Sequence, residues 1–153
     1  MLSKTLFMEK NPEKEIYSLF SNVASSLGYS GVHGRIIGAL LVAGKPLSLD
    51  ELRKRIGYSA SSVSLSLDFL EMLGVIRRIK KPTDKKLYIE LCGDLLECLR
   101  KAVLFKTQKA IEATLEKFEK YRNGNTEKAI KILEKEIKRL QKYINLLSKV
   151  KLP

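Results

Sequence analysis

Residues 47–91 read LSLDELRKRIGYSASSVSLSLDFLEMLGVIRRIKKPTDKKLYIEL, and this stretch decides the fold. Ser48-Leu49-Asp50-Glu51 is a capping box, in which the Ser48 hydroxyl accepts from the third amide and Glu51 reaches back. A short helix follows, with Leu49, Leu52 and Ile56 inward and Gly57 as its stop. After Tyr58, Ser59 is a second N-cap. The helix expected over residues 60–73 places Val63, Ser66, Leu67, Leu70 and Leu73 on one face, and Gly74 ends it. The period then changes. Val75 to Lys81 is β-branched and basic, and Pro82-Thr83-Asp84 carries turn chemistry. From Lys86 to Leu91, Leu87, Ile89 and Leu91 alternate with Tyr88 and Glu90. The expectation is a two-stranded hairpin with a charged tip.

Upstream, Asn11-Pro12 opens a helix with Glu13 and Glu15 in its first turn. Ile16, Leu19, Phe20, Val23, Ala24 and Leu27 line one face before Gly28. A second helix starts near Ser30, with Val32, Ile36, Ile37, Leu40 and Leu41 as its stripe and Gly44 as its stop. Downstream, Asp94 caps a long helix reaching Tyr121, with Leu96, Leu99, Val103, Ala110, Leu115 and Phe118 among its apolar positions. Asn123-Gly124-Asn125 breaks it and Thr126 caps the last helix. There Ile130, Leu133, Ile137, Leu140, Ile144 and Leu147 recur at spacings of three and four, an a/d seam.

The chain has 153 residues, 44% of them hydrophobic, which is enough for a packed core and excludes wholesale disorder. No apolar run is long enough to span a membrane, and residues 1–11 lack the features of a secretory signal. Cys92 and Cys98 are the only cysteines, and His33 is the only histidine. Two thiols build neither a disulfide framework nor a four-ligand zinc site, and they fit a reducing cytoplasm. There is no phosphate-cradling loop, no dinucleotide fingerprint and no nucleophile–histidine pair, so no enzyme, cofactor or metal is expected. The net charge of +12 favours a polyanionic partner. A lysine-rich proteome, as in many heat-adapted organisms, accounts for the same charge without one.

From residue 30 the order is helix, short strand, helix, tight turn, helix, hairpin, which is the winged helix-turn-helix plan. Three regions follow: an N-terminal helix, 1–29, contributing to dimerisation; the winged domain, 30–93; and a C-terminal helical hairpin or coiled coil, 94–153. The fold class is mainly α with a small β-hairpin wing. The helix after Ser59 is the expected reading helix, presenting Ser59, Ser61, Ser62, Ser64 and Leu65 to double-stranded DNA. The wing offers Arg77, Arg78, Lys80, Lys81, Lys85 and Lys86 to phosphates. Lysines on a strand edge also serve merely to block edge pairing. No Lys, Arg, Asn or Gln lies between Arg55 and Arg77, so the usual bidentate base readers are missing, and Asp68 repels phosphate unless it accepts from cytosine or pairs with a neighbouring base-contacting group. Specificity is therefore expected to rest on operator shape and half-site spacing.

Residues 47–59, together with Val63-Ser64 and Leu70-Glu71-Met72-Leu73-Gly74-Val75-Ile76-Arg77-Arg78, resemble a MarR-type winged-helix regulator. The hairpin Lys80-Lys81-Pro82-Thr83-Asp84-Lys85-Lys86-Leu87-Tyr88, followed by a long helix, is similar to the GbsR-like branch, the glycine-betaine-synthesis repressors. The resemblance is sharp over residues 46–92 and architectural elsewhere. It implies a cytoplasmic homodimer, held by terminal helices, that represses transcription from a pseudo-palindromic operator. Some members of the family respond to a small-molecule effector. Leu19, Phe20, Leu27, Ile130, Leu133, Ile137, Leu140, Ile144 and Leu147 are the expected dimerisation residues, although the last helix can instead pack on its own chain's long helix. The competing reading is a winged helix used as a protein–protein interaction module in a larger assembly. His33 is expected at the surface. Cys92 and Cys98 are expected reduced and partly buried, and Tyr17, Phe20, Tyr29 and Phe105 as core, with an aromatic box for a quaternary ammonium as the alternative.

Overall fold

The computed structural model describes residues 11–153. In chain order the elements are α1 (Pro12–Ser26), α2 (Gly31–Ala43), β1 (Leu47–Ser48), α3 (Leu49–Ile56), α4 (Ala60–Met72), β2 (Ile76–Lys80), β3 (Leu87–Leu91), α5 (Leu95–Lys120) and α6 (Glu127–Leu147). They fall into two units, which divide after Gly93. Among the described residues, no helix is long and apolar enough to cross a membrane.

In the first unit the caps form where the residue types demand them. Asn11, Ser30, Ser48 and Ser59 each accept from an amide of the helix they precede. The box at α3 is reciprocal: the Ser48 amide donates to Glu51 Oε2 at 2.9 Å and the Glu51 amide to Ser48 Oγ at 3.2 Å. Those contacts, led by the Ser48 amide, hold the Glu51 carboxyl below its usual range.

The sheet is antiparallel and has three strands in the order β1-β3-β2, so the expected short strand after α2 joins the expected hairpin. Leu47 stands opposite Ile89, and Ser48 opposite Tyr88. Two residues show no alternation from which their partner strand could be read. The pairing forms because Leu47 and Ile89 are both completely buried and the backbone beside them needs partners. Ile36, Leu52, Val63, Leu67 and Ile76 complete this core.

Helix α1 lies on α2 through glycines. A Cβ on Gly34 would collide with the Phe20 carbonyl, and one on Gly38 would lie 3.4 Å from both Phe20 Cδ2 and Tyr17 Cδ1. Tyr17 is thereby buried and Phe20 half-buried against their own chain. His33 is not the surface group expected. It is half-buried between α2 and α4, its Nδ1 contacts Ser66 Oγ, and its ring stacks on Phe69 at 4.8 Å. Tyr29 packs on the same Phe69 at 5.4 Å. Position 33 follows buried Val32 by one residue, and only the approach of α4 turns it inward.

In the second unit α5 and α6 pack as a hairpin around Leu104, Ile111 and Ile144, with Leu115, Ile137 and Leu147 against them. Residues Gly124–Thr126 form a single 3-10 turn between the helices. Thr126 makes no side-chain cap to α6; its hydroxyl donates to the Tyr121 and Asn123 carbonyls at 3.0 and 3.1 Å. The end of α5 leaves carbonyls without helical partners, and the hydroxyl serves them instead.

Candidate nucleic-acid interface

Helix α4 buries Val63, Ser66, Leu67 and Leu70 and turns its other side outward. Ser59, Ser61 and Ser62 are exposed at its start, Ser64 is half-buried, and Leu65 is 74% exposed. The three leading hydroxyls are linked, Ser59 Oγ lying 3.2 Å from Ser61 Oγ and 3.0 Å from Ser62 Oγ. Ser59 also accepts the Ser62 amide, so it caps the helix and stands on its exposed end at once.

The wing pairs β2 with β3, setting Arg77 opposite Glu90 and Lys80 opposite Leu87. Lys80, Lys81, Lys85 and Lys86 are all exposed. The two arginines differ from them. Arg77 pairs with Glu90 across the strands. Arg78 reaches α4 instead, with Nη2 2.7 Å from Asp68 Oδ1 and Nη1 2.5 Å from Glu71 Oε2. Its hydrogen bond to Asp68 raises its pKa, overcoming the opposing effect of partial burial. Asp68 thus has a cationic partner from the wing, while its side chain stays 66% exposed.

Asp84, the one acid at the wing tip, organises the turn. It accepts the Lys86 amide at 2.9 Å and the Tyr88 hydroxyl at 2.8 Å. These contacts, the amide first, hold its carboxyl below the usual range, and the Tyr88 phenol is raised by the same hydrogen bond. The Lys81 ammonium sits 4.1 Å from the Tyr88 ring centroid.

One cation escaped the sequence reading. Arg35 sits on α2 between buried Gly34 and Ile36, where an arginine invites no functional reading. Its guanidinium lies 5.9 Å from the ring centroid of Tyr58, in the turn before α4.

The expected dimerisation residues divide. Leu27 is half-buried, while Leu19 is 62% exposed on α1. On α6 the heptad line Ile130, Ile137 and Ile144 turns inward, and the other line leaves Leu133 and Leu140 exposed at 51% and 41%. Leu147 packs on the hairpin core. Tyr17 and Tyr29 are engaged in packing within the first unit, and Phe105 belongs to the second, with Lys109 5.8 Å from its ring centroid. Cys92 Sγ donates to the Gly74 carbonyl at 3.1 Å, and Cys98 is buried. Among the described residues, no group of three His, Cys, Asp or Glu side chains is placed to hold a metal ion.

A crystal structure of a transcriptional regulator matches 90% of this chain and 97% of its own, with a TM-score of 0.64 at 17% identity. The fold is a winged helix-turn-helix. A weaker likeness is to the transcriptional regulator BldR from Sulfolobus solfataricus (TM-score 0.44, 19% identity, 90% of this chain and 94% of that one). Another is to a mutant MarR from E. coli complexed with operator DNA (TM-score 0.42, 18% identity, 80% and 94%). No protein-family model matches the chain, and no curated protein does.

Proposed function

We propose that this protein is a DNA-binding transcriptional regulator, a MarR-type repressor of the GbsR-like branch, which occupies a pseudo-palindromic operator as a homodimer. The observation that carries this reading is the wing. Lys80, Lys81, Lys85 and Lys86 stand exposed, and none forms an ion pair among the described residues. Four exposed ammonium groups beside an outward helix face suit a phosphate-lined groove. The likeness to a solved transcriptional regulator adds support through the fold.

In this reading the α4 start and Leu65 enter the major groove while the wing follows the backbone. With serine hydroxyls as the helix's polar groups, base discrimination is weak and operator shape carries more of the selectivity. The homodimer rests on Leu19 of α1 and on the exposed Leu133–Leu140 line of α6. A small-molecule effector would act by shifting the spacing of the two reading helices.

Fluorescence anisotropy with duplex DNA at several salt concentrations tests the proposal. Affinity should fall steeply with salt, and replacing all four wing lysines by alanine should weaken binding to every sequence alike and flatten the log–log slope by roughly 4 per protomer. Absent or salt-insensitive binding would leave the protein-interaction module as the better reading.

A further inference from the structure

We propose that Arg35 is a phosphate anchor of the reading head, contacting the DNA backbone beside the start of α4. The inference rests on the DNA-binding reading and extends its contact surface to α2.

Arg35 is half-buried, its Nε is enclosed without a hydrogen-bond partner, and its guanidinium is in reach of the exposed Tyr58 ring. Tyr58 directly precedes Ser59, so the ring ties the guanidinium to the exposed end of α4. Two other arginines also enclose an unpaired Nε, but both use a terminal nitrogen elsewhere: Arg53 is 3.8 Å from Asp50, and Arg122 is 3.0 Å from Glu119. Arg35 forms no ion pair among the described residues. A guanidinium is a rigid fork of donors whose geometry matches phosphate oxygens. Within reach of an aromatic ring and without an acid among the described residues, its terminal nitrogens are prepared for an anion from outside.

The charge balance of the reading head points the same way. Helix α4 contributes no cation, and Arg77 and Arg78 are engaged by Glu90, Asp68 and Glu71. At the other end of α4 from that clamp, the turn is flanked by Arg53, Lys54 and Arg55 at the end of α3 and by Arg35, which alone among them is placed at the Tyr58 ring. An anchor there would hold the helix start against the strand while the wing lysines hold the flank.

The test compares wild type with Arg35→Ala, Arg35→Gln and Arg35→Lys in duplex-DNA anisotropy across a salt series. The neutral variants should bind about tenfold more weakly, equally for every sequence, with a slope shallower by about 0.9 per protomer. Arg35→Lys keeps the charge and should restore the slope with only part of the affinity. Tyr58→Leu, which removes the ring but keeps Arg35, should weaken binding without changing the slope. If wild type binds steeply and the neutral variants match it, this inference fails and the regulator reading stands. If wild type does not bind, the regulator reading itself fails. Loss of fold in both neutral variants by circular dichroism also overturns the inference, because Arg35 would then be a structural residue.

Discussion

Arg78 on β2 and Asp68 on α4 are joined at 2.7 Å, so the wing and helix α4 share an ion pair. Glu71, one turn further along α4, completes a clamp on the same guanidinium. The clamp sets one cation between two partly exposed acids and ties the wing to the helix beside it. Arg78 is thus engaged by two carboxylates within the fold, unlike the exposed wing lysines.

Arg78→Ala should weaken duplex binding more than removal of any single wing lysine, because it leaves two carboxylates unpaired as well as deleting a cation. Arg78→Ala combined with Asp68→Asn should recover part of that loss. In urea unfolding the pair should show a coupling of only about 0.2–1 kcal/mol, since Asp68 is two-thirds exposed and screened. A double variant no better at binding than Arg78→Ala would contradict the clamp.

The α1–α2 crossing makes a sharper demand. At Gly34 a methyl group would meet the backbone carbonyl of Phe20, which cannot swing aside as a side chain can. Gly34→Ala should therefore destabilise the first unit by about 1–3 kcal/mol despite alanine's better helix propensity. Chemical denaturation measures this, and a neutral or stabilising result would show that the two helices separate readily.

Acid should loosen the start of α3. The Glu51 carboxyl is held below its ordinary value by the Ser48 amide, so the unfolded chain binds its proton more readily than the folded one. Its contribution is complete above the unfolded pKa, about 4.3, and disappears as pH falls through the lower folded value. Glu51→Gln retains an acceptor for the cap without the titration. Its Tm should fall less than that of wild type between pH 6 and pH 2.5, and parallel declines would remove Glu51 from the account.

The two heptad lines of α6 predict different failures. Ile144 is 7% exposed in the hairpin core, whereas Leu140 is 41% exposed. Ile144→Lys should unfold the hairpin, seen as lost helical circular dichroism. Leu140→Lys should keep the helix and lower the sedimenting mass from dimer to monomer. A Leu140→Lys protein that sediments as a stable dimer would exclude this line from the interface.

Most elements of this protein follow from order along the chain, because caps, turns and apolar periods act over a few residues. Asn11, Ser30, Ser48 and Ser59 start helices by bonding amides within three positions. The change of period after Gly74 marks the wing in the same local way. What local order left open was pairing between distant segments. β1 exists because β3 lies beside it, His33 is turned inward by Phe69, and the α6 seam is split by contact with α5.

The availability of each cation belongs to that second category. Arg77 and Arg78 read like Lys80 and Lys81 in the chain, yet among the described residues the first two form ion pairs with carboxylates and the lysines do not. Arg35 is hidden in an apolar stretch and emerges beside Tyr58 only when α2 packs near the turn. Composition and spacing suffice to establish a basic winged helix, since both depend on residue type and near neighbours. The free charges are decided by folding, since an ion pair forms within a few ångströms in space whatever the separation along the chain.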